Sequence, residues 1–167
     1  MFVLGIDPGL SRCGYGVVEQ VGRKAEAVAI GVIRTPAKAV TAERLAAIHR
    51  EFQELIEEHR PDVVAIERVF FQTNARTAMG VAQVSGLAMA AGATAGAEVV
   101  EYTPNQVKEA VAGWGNATKE QMQRMVQSLL SLPDLPSPPD AADAAAVALC
   151  HLAHAPTRRL EKVSKVR

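Results

Sequence analysis

Two aspartates at the start of an apolar helix raise the first chemical question in this sequence. Asp140 and Asp143 lie three positions apart in the segment SPPDAADAAAVALCHLAH, residues 137–154. With Ser137 as N-cap and Pro138 at the first helical position, Asp140 is placed to cap the helix. Asp143 fits this role poorly, because residues three apart share one helix face and their like charges repel. The pair is therefore either a capping acid with a costly neighbour or half of a cation site.

Two more acids follow apolar strands. The runs Phe2–Ile6 and Val63–Ile66 end in Asp7 and Glu67. A carboxylate at the end of a buried strand is costly unless it binds a cation or accepts hydrogen bonds. If the two strands are parallel neighbours, both acids lie at the carboxyl edge of the sheet, where α/β proteins collect ligands. The aspartate pair of the helix can reach the same edge, which would bring the carboxylates together.

Carboxylate clusters of this kind bind hard divalent cations, Mg²⁺ or Mn²⁺. Two such ions about 4 Å apart catalyse in-line attack of water on a phosphodiester, because one activates the water and the other stabilises the leaving oxygen. Singly, each acid has an ordinary explanation, since Asp7 before Pro-Gly suits an Asx-turn. Glu67 can pair with Arg68 or Arg76. Taken together, these ordinary explanations are less convincing. Two apolar strands that both end in an acid at one edge of the sheet would need two unrelated explanations.

The composition fits one soluble globular domain. The chain has 167 residues, of which 49% are hydrophobic and 22% charged, and its formal net charge is +0. That balance gives no general attraction to nucleic acid or membrane, so a DNA-binding surface must come from local clusters. Cys13 and Cys150 lack metal-site spacing and are expected to be buried thiols of a reducing compartment. Without a signal peptide or a membrane-spanning run in the sequence, we expect a cytoplasmic protein with no membrane partner.

Hydrophobic periodicity predicts an α/β domain over residues 1–156, followed by a basic, flexible tail over 157–167. Three strands come first and form a meander with a hairpin turn. Helices and strands then alternate, with a helix over 41–59, a strand over 62–67, a small-residue helix over 74–91 and a strand over 98–103. Capping boxes at Thr103 and Thr118 begin two further helices before the aspartate-bearing helix. This order predicts a mixed sheet with crossover helices after the meander.

Two apolar features have structural interpretations. Trp114 is expected to be packed inside the protein, as large aromatic residues usually are. The small-residue helix over 74–91 suits either a dimer interface or close internal packing.

Four segments are specific when they are taken together, namely GIDPGLSRCGYGVV, AIERVFFQTNA, QVKEAVAGWGNATKEQM and DAADAAAVALCH. From about Val3 to His151 they resemble, in order, the signature segments of the RuvC family of bacterial Holliday-junction resolvases. The resemblance implies an RNase H-like fold with a mixed five-stranded sheet flanked by helices. It implies a homodimeric endonuclease, dependent on two Mg²⁺ per active site or on Mn²⁺ as a substitute, that nicks opposing strands of a four-way DNA junction. It also implies roles in recombination and repair, with the RuvAB branch-migration complex as partner.

The resemblance also assigns functions to particular residues. By motif match, the catalytic and metal-binding acids are Asp7, Glu67, Asp140 and Asp143. Some relatives carry His at the position of Asp140, whereas this chain has the all-carboxylate form. The DNA-contacting residues that the resemblance implies are Phe70, Phe71, Arg76, Lys108 and Lys119.

The DNA-contacting residues have structural alternatives. Lys108 and Lys119 each lie near a predicted helix start, where a phosphate would also meet backbone N–H groups, but either can be a solvated surface lysine. Two consecutive phenylalanines cannot both face the core of a strand-like segment, so one can stack on an unpaired base. Phe70 matches the stacking aromatic of the family, although Phe71 is not excluded by the residues alone.

Three other functions fit parts of the sequence. An actin-like ATPase also begins with a GIDPG-type strand and turn, but it needs a second similar domain for which this chain is too short. A DNA-binding module without catalysis would not gain from acids that face phosphates. An RNase H-type nuclease acting on RNA–DNA hybrids stays open, and comparing cleavage of a hybrid with cleavage of a four-way junction separates the two.

Overall fold

The structure, a computed structural model, describes the backbone of residues 1–68 and 75–164. Its strands are β1 (Phe2–Asp7), β2 (Arg12–Val21), β3 (Lys24–Arg34), β4 (Val63–Glu67) and β5 (Glu98–Tyr102). Its helices are α1 (Thr41–His59), α2 (Ala75–Thr94), α3 (Pro104–Ala112), α4 (Lys119–Leu129) and α5 (Pro139–Ser164). The predicted element order is confirmed, and α1 has the predicted bounds.

The strands form one mixed sheet in the order β3-β2-β1-β4-β5. The first three strands are an antiparallel meander, whereas β1 pairs in parallel with β4, and β4 with β5. The register places Ile6 beside Ile66. Asp7 and Glu67 follow these residues and therefore lie at the same edge of the sheet. The sequence predicted that the two acids meet if their strands are parallel neighbours, and the strands are arranged in this way.

Helices cover both faces of the sheet. Alternate residues of β1 point to opposite faces, so Val3 packs with α3, α4 and α5 while Leu4 packs with α1 and α2. The face under α5 is lined by glycines of β1 and β2, and a Cβ at Gly16 would lie 2.8 Å from the Cα of Ala145. Because glycine and alanine meet there, α5 lies directly on the sheet, and its first turn is held near the end of β1.

The start of α5 differs from the prediction. The helix begins at Pro139, so Pro138 and not Ser137 occupies the N-cap position, and Asp140 is the second helical residue. The reason is the consecutive prolines, since the residue before a proline avoids the helical region and Pro138 precedes Pro139. The Pro138 carbonyl accepts a hydrogen bond from the Ala141 N–H at 3.0 Å, which begins the helix without a serine cap.

Trp114 was expected inside the protein, and this was wrong. The residue is 56% exposed, because it lies in the turn between α3 and α4. Gly113 ends α3 there with a left-handed φ of 83°. The predicted capping boxes at Thr103 and Thr118 are both present.

The C-terminal helix runs past the predicted domain boundary at residue 156 and ends at Ser164. The side chains of the basic tail lie outside the described residues, so the division into domain and tail stays a prediction. Cys13 and Cys150 are buried free thiols, as expected. Across the described part of the chain, no helix has the length and apolar character needed to cross a membrane.

Candidate active site

The carboxyl ends of β1 and β4 open into a cavity of about 440 Å³, which we call the acid cavity. Its charged lining residues were all predicted from the sequence, and they are Asp7, Glu67, Asp140, Asp143, Lys108 and Lys119. Five separate elements therefore contribute side chains to one place. The acids come from β1, β4 and α5, and the lysines from α3 and α4.

Glycine fixes how closely the helix-borne acids approach the strand-borne ones. Gly14 of β2 pairs across the sheet with Asp7. A Cβ at Gly14 would collide with the backbone carbonyl oxygen of Asp140 and would lie 3.2 Å from the Cβ of Ala144. The absence of that Cβ lets the first turns of α5 rest on β2. Asp140 and Asp143 are thereby held beside the end of β1.

Burial and mutual repulsion raise the pKa values of the acids. Burial raises the pKa of Asp7 to about 8, and the negative charges of Glu67, Asp143 and Asp140 add to this effect. Burial also raises the pKa of Glu67 to about 7, with Asp143 adding to it. The pKa of Asp143 is raised by burial too, against the opposing charge of Lys119. The protein alone thus leaves negative charge uncompensated in the cavity, which a cation would relieve.

Two basic side chains contact the aspartates of α5. Lys119 Nζ lies 3.7 Å from Asp143 Oδ2, and Arg12 Nε lies 3.4 Å from Asp140 Oδ2. The lysine side chain is 81% exposed and the arginine side chain 57% exposed. Exposed pairs of this kind are weak, so both cations remain free to turn towards an anionic ligand at the cavity mouth.

The donor set fits a hard divalent cation. The four lining carboxylates supply oxygen ligands, and the described lining of the cavity includes no histidine or cysteine. Within the described residues, no three His, Cys, Asp or Glu side chains are gathered closely enough to form a ready-made ligand set. The carboxylates therefore surround the cavity without converging on one point, and side-chain rotations would be needed for three of them to share an ion.

The remaining predicted contacts cannot be placed. Phe70 and Phe71 lie outside the described residues. Arg76 belongs to the first turn of α2, but its side chain is also outside the described part. Their assignment as DNA contacts stays a prediction.

Comparison with known proteins identifies the family. The family described as crossover junction endodeoxyribonuclease RuvC matches residues 3–151. The chain belongs to the RuvC family. The RuvC of Salinispora arenicola is 55% identical over 131 residues, which cover 78% of this chain and 75% of that protein. The RuvC of Alkaliphilus metalliredigens is 48% identical over 130 residues, covering 78% of this chain and 79% of that one.

Solved RuvC structures share the fold. Thermus thermophilus RuvC in complex with Holliday junction substrate is 39% identical, with a TM-score of 0.88 over 93% of this chain and 94% of that chain. A second structure of Thermus thermophilus RuvC has a TM-score of 0.86. The yeast mitochondrial Holliday junction resolvase Ydc2, at 16% identity and a TM-score of 0.68, shows likeness of fold alone. The RNase H-like fold expected from the RuvC resemblance is confirmed.

Sequence reasoning missed two arginines beside the RuvC acids. Arg12 pairs with Asp140, and Arg44 lines a second cavity that Asp140 also borders. A signal for Arg44 was present, because it begins the buried stripe of α1 that continues with Ile48, Phe52 and Ile56. A charged residue at a core-facing helix position is uncommon and indicates a specific partner.

Proposed function

We propose that this chain is a divalent-metal-dependent endonuclease that resolves four-way DNA junctions by hydrolysing a phosphodiester on each of two opposing strands. The observation that supports this most strongly is the acid cavity, in which four carboxylates from β1, β4 and α5 surround one space with two lysines at its border. Family membership supports the substrate, since a relative of the same fold is described in complex with a Holliday junction. The proposed biological setting is homologous recombination and DNA repair.

Asp7, Glu67, Asp140 and Asp143 would hold the metal, and two Mg²⁺ ions are proposed, with Mn²⁺ as a substitute. When bound, these ions would activate water and stabilise the leaving oxygen. The residues of the chain do the rest. Lys119 and Lys108 attract the DNA backbone to the cavity. If Asp143 held a metal, the exposed Lys119 ammonium beside it would be free to bind a phosphate oxygen.

A nicking assay on purified protein tests the proposal. A synthetic four-way junction, a matched linear duplex and an RNA–DNA hybrid are each incubated with and without Mg²⁺. We expect paired symmetric nicks in the junction alone, and only with the metal. Preferred cleavage of the hybrid would instead favour the RNase H-type alternative.

The acid cavity predicts an unusual dependence of stability on pH when divalent cations are absent. The pKa of Asp7 is about 8 in the folded protein and that of Glu67 is about 7, both above their ordinary values. Between the unfolded and folded pKa values, the folded state therefore holds protons that the unfolded state has lost. The stabilisation that comes from these protonated carboxyl groups is complete near pH 4 and is lost as pH rises through 7 to 8. Melting in EDTA should show a decline on the order of 1–3 kcal/mol across this window.

Two comparisons isolate the acids from other titrating groups. Asp7→Asn should reduce the decline and should be more stable than wild type at pH 8 without metal. Mg²⁺ should restore wild-type stability at pH 8 and should help Asp7→Asn less. A stability profile in EDTA that is equal for both proteins would contradict the charge repulsion assigned to this cavity.

The lysines are expected to bind phosphate. Lys108→Ala and Lys119→Ala should each reduce the slope of log affinity against log salt concentration by about one. Lys119→Ala should also slow nicking, because its ammonium lies next to Asp143. Lys24→Ala is the matched control, since this exposed lysine begins β3 at the opposite end of the sheet. Salt slopes equal to wild type for both cavity lysines would show that they only face water.

Phe70 is proposed to replace a stacking neighbour that a base loses when the junction opens. Such stacking contributes about 1–3 kcal/mol, so Phe70→Ala should nick intact junctions poorly. A junction with mismatched bases at the crossover has already lost the stacking and should partly rescue the variant. Phe71→Ala is the comparison, since a buried Phe71 would instead lower stability by about 3–5 kcal/mol. Equal rate losses on both junctions would exclude stacking by Phe70.

The remaining proposals concern assembly and setting. A homodimer matches the two equivalent strands of the junction, and the exposed small residues of α2, Gly86 and Ala90, are its proposed contact. RuvAB is the proposed branch-migration partner, and the cytoplasm is the proposed location. We also propose that Arg76 contributes a phosphate contact.

A further inference from the structure

A second cavity next to the acid cavity carries the opposite balance of charge. It also measures about 440 Å³, and it lies between the β1–β2 turn, α1 and α2. Its charged lining residues are Arg12, Arg44 and Asp140, whereas the acid cavity is lined by four carboxylates and two lysines. Because Asp140 borders both, the two cavities are neighbours. We call the second one the arginine cavity.

Arg44 is a buried cation without an acidic partner among the residues that the structure describes. The residue is 8% exposed. Its Nε donates to Thr35 Oγ1 at 2.9 Å, and its Nη2 donates to Ser11 Oγ at 2.6 Å. Both acceptors are neutral hydroxyls, and among the described residues no carboxylate lies within ion-pair distance of this guanidinium. A buried charge is costly without a counter-ion, so the arrangement is incomplete until an anion enters the cavity.

The hydroxyl partners hold the guanidinium in a fixed orientation. Thr35 Oγ1 donates to the Leu10 carbonyl oxygen, and the Thr35 N–H donates to the Ser11 carbonyl oxygen at 3.2 Å. These bonds tie the β1–β2 turn to the end of β3 and to α1. Since a guanidinium has five N–H donors and two are used here, three are left for a ligand. A preorganised guanidinium fork suits bidentate binding of phosphate.

The position next to the acids decides which phosphate this would be. A nucleic-acid strand that crosses the acid cavity has further phosphates on either side of the one being cut. Arg44 from below and the exposed Arg12 at the rim would meet one of those neighbours. Arg12 would then turn from Asp140 to the phosphate, because the exposed pair between these two side chains is weak.

On the basis of the proposed function, we propose that the arginine cavity is a subsite for a DNA backbone phosphate adjacent to the scissile one, bound by Arg44 and Arg12. Two phosphates of one strand are then fixed at once, one beside the acids and one in the arginine cavity. Two fixed points set the direction in which the strand crosses the site. The subsite thereby orients the scissile bond for in-line attack without taking part in the chemistry.

The test couples a charge on the protein to a charge on the DNA. A series of four-way junctions is prepared, and in each one a single phosphate is replaced by a neutral methylphosphonate. The replaced linkages run in succession on either side of the nick that the wild-type protein makes. The affinities of these junctions are measured without divalent metal for wild type, for Arg44→Gln, and for Arg50→Gln as a control on the exposed face of the same helix. At one linkage we expect about a tenfold loss of wild-type affinity. Arg44→Gln should show no further loss at that linkage, while Arg50→Gln should keep the wild-type pattern.

Arg12→Gln guards against a folding defect, because the Arg12 side chain is exposed and its loss leaves the core intact. It should reduce the penalty at the same linkage, and thermal melting monitors the fold of each variant. The proposal is overturned if the loss of affinity at every linkage is the same for Arg44→Gln as for wild type. If Arg44→Gln does not fold, the same comparison is made between Arg12→Gln and wild type, and equal losses again overturn the proposal. Failure of the proposed function is separate, since it appears as a wild-type protein that binds but does not nick the junction in Mg²⁺.

Discussion

Asp7→Asn should lower the rate of junction nicking by at least about 10³-fold while junction binding survives or tightens. Glu67→Gln, Asp140→Asn and Asp143→Asn should behave in the same way. Each change removes the charge of a proposed metal ligand but leaves the side-chain volume almost unchanged. The affinity for DNA should not fall, because a negative charge that faces phosphate has gone.

The structure distinguishes this expectation from a general loss of folding. Asp7 and Glu67 carry raised pKa values because they are buried beside other acids, so their neutral replacements should keep or increase stability without metal. Asp134→Asn is the matched control, since that aspartate is exposed in the connection before α5. A gel shift beside a nicking assay measures both effects. Near-wild-type nicking by any two of the four variants would remove the assignment of the acids.

Sequence patterns predicted the strand-borne half of this site because it depends on local signals. An unbroken apolar run that stops at an acid appears twice, and the parallel pairing of β1 with β4, on which the prediction depended, is present in the fold. Once the two strands are parallel neighbours, their acids lie at one edge of the sheet. The exact residue register is not needed to predict that the acids are close. The same reasoning predicted α1 and both capping boxes, whose determinants lie within a few residues.

Features that depend on distant parts of the chain were not predictable in the same way. Nothing near Arg44 in the sequence indicates that its hydrogen-bond partners are Ser11 and Thr35, which reach it only through the fold. Trp114 was misplaced because its size suggested burial, whereas the glycines on either side form an exposed turn. The start of α5 was placed one residue early because the effect of Pro139 on Pro138 was overlooked.

The close contact of α5 with the sheet also escaped prediction, although its residue types were visible. Glycines in β2 look like weak points of a strand when they are considered alone. In the fold they are the space into which the alanine-rich face of α5 fits, with Ala144, Ala145 and Ala148 fully buried. The spacing between the helix-borne and strand-borne acids is therefore set by residues that carry no functional group.

Gly14→Ala should consequently impair both stability and catalysis. The added Cβ would meet the Asp140 carbonyl oxygen, which is backbone and cannot rotate away, so the first turn of α5 must move off β2. Overpacking of this kind costs about 1–3 kcal/mol or more. Because the same turn bears Asp140 and Asp143, a displacement of about 1 Å should also slow nicking by about 100-fold.

Gly31→Ala separates this effect from the general cost of replacing a strand glycine. A Cβ at Gly31 would meet the ring of Tyr15, which can rotate away, and Gly31 lies on the edge strand β3, two strands from β1. It should therefore melt closer to wild type and nick at the wild-type rate. The rates are compared at a temperature where melting shows every variant to be folded. If Gly14→Ala then nicks as fast as Gly31→Ala, the position of the α5 acids does not depend on the glycine contact, and their distance from Asp7 must be set elsewhere.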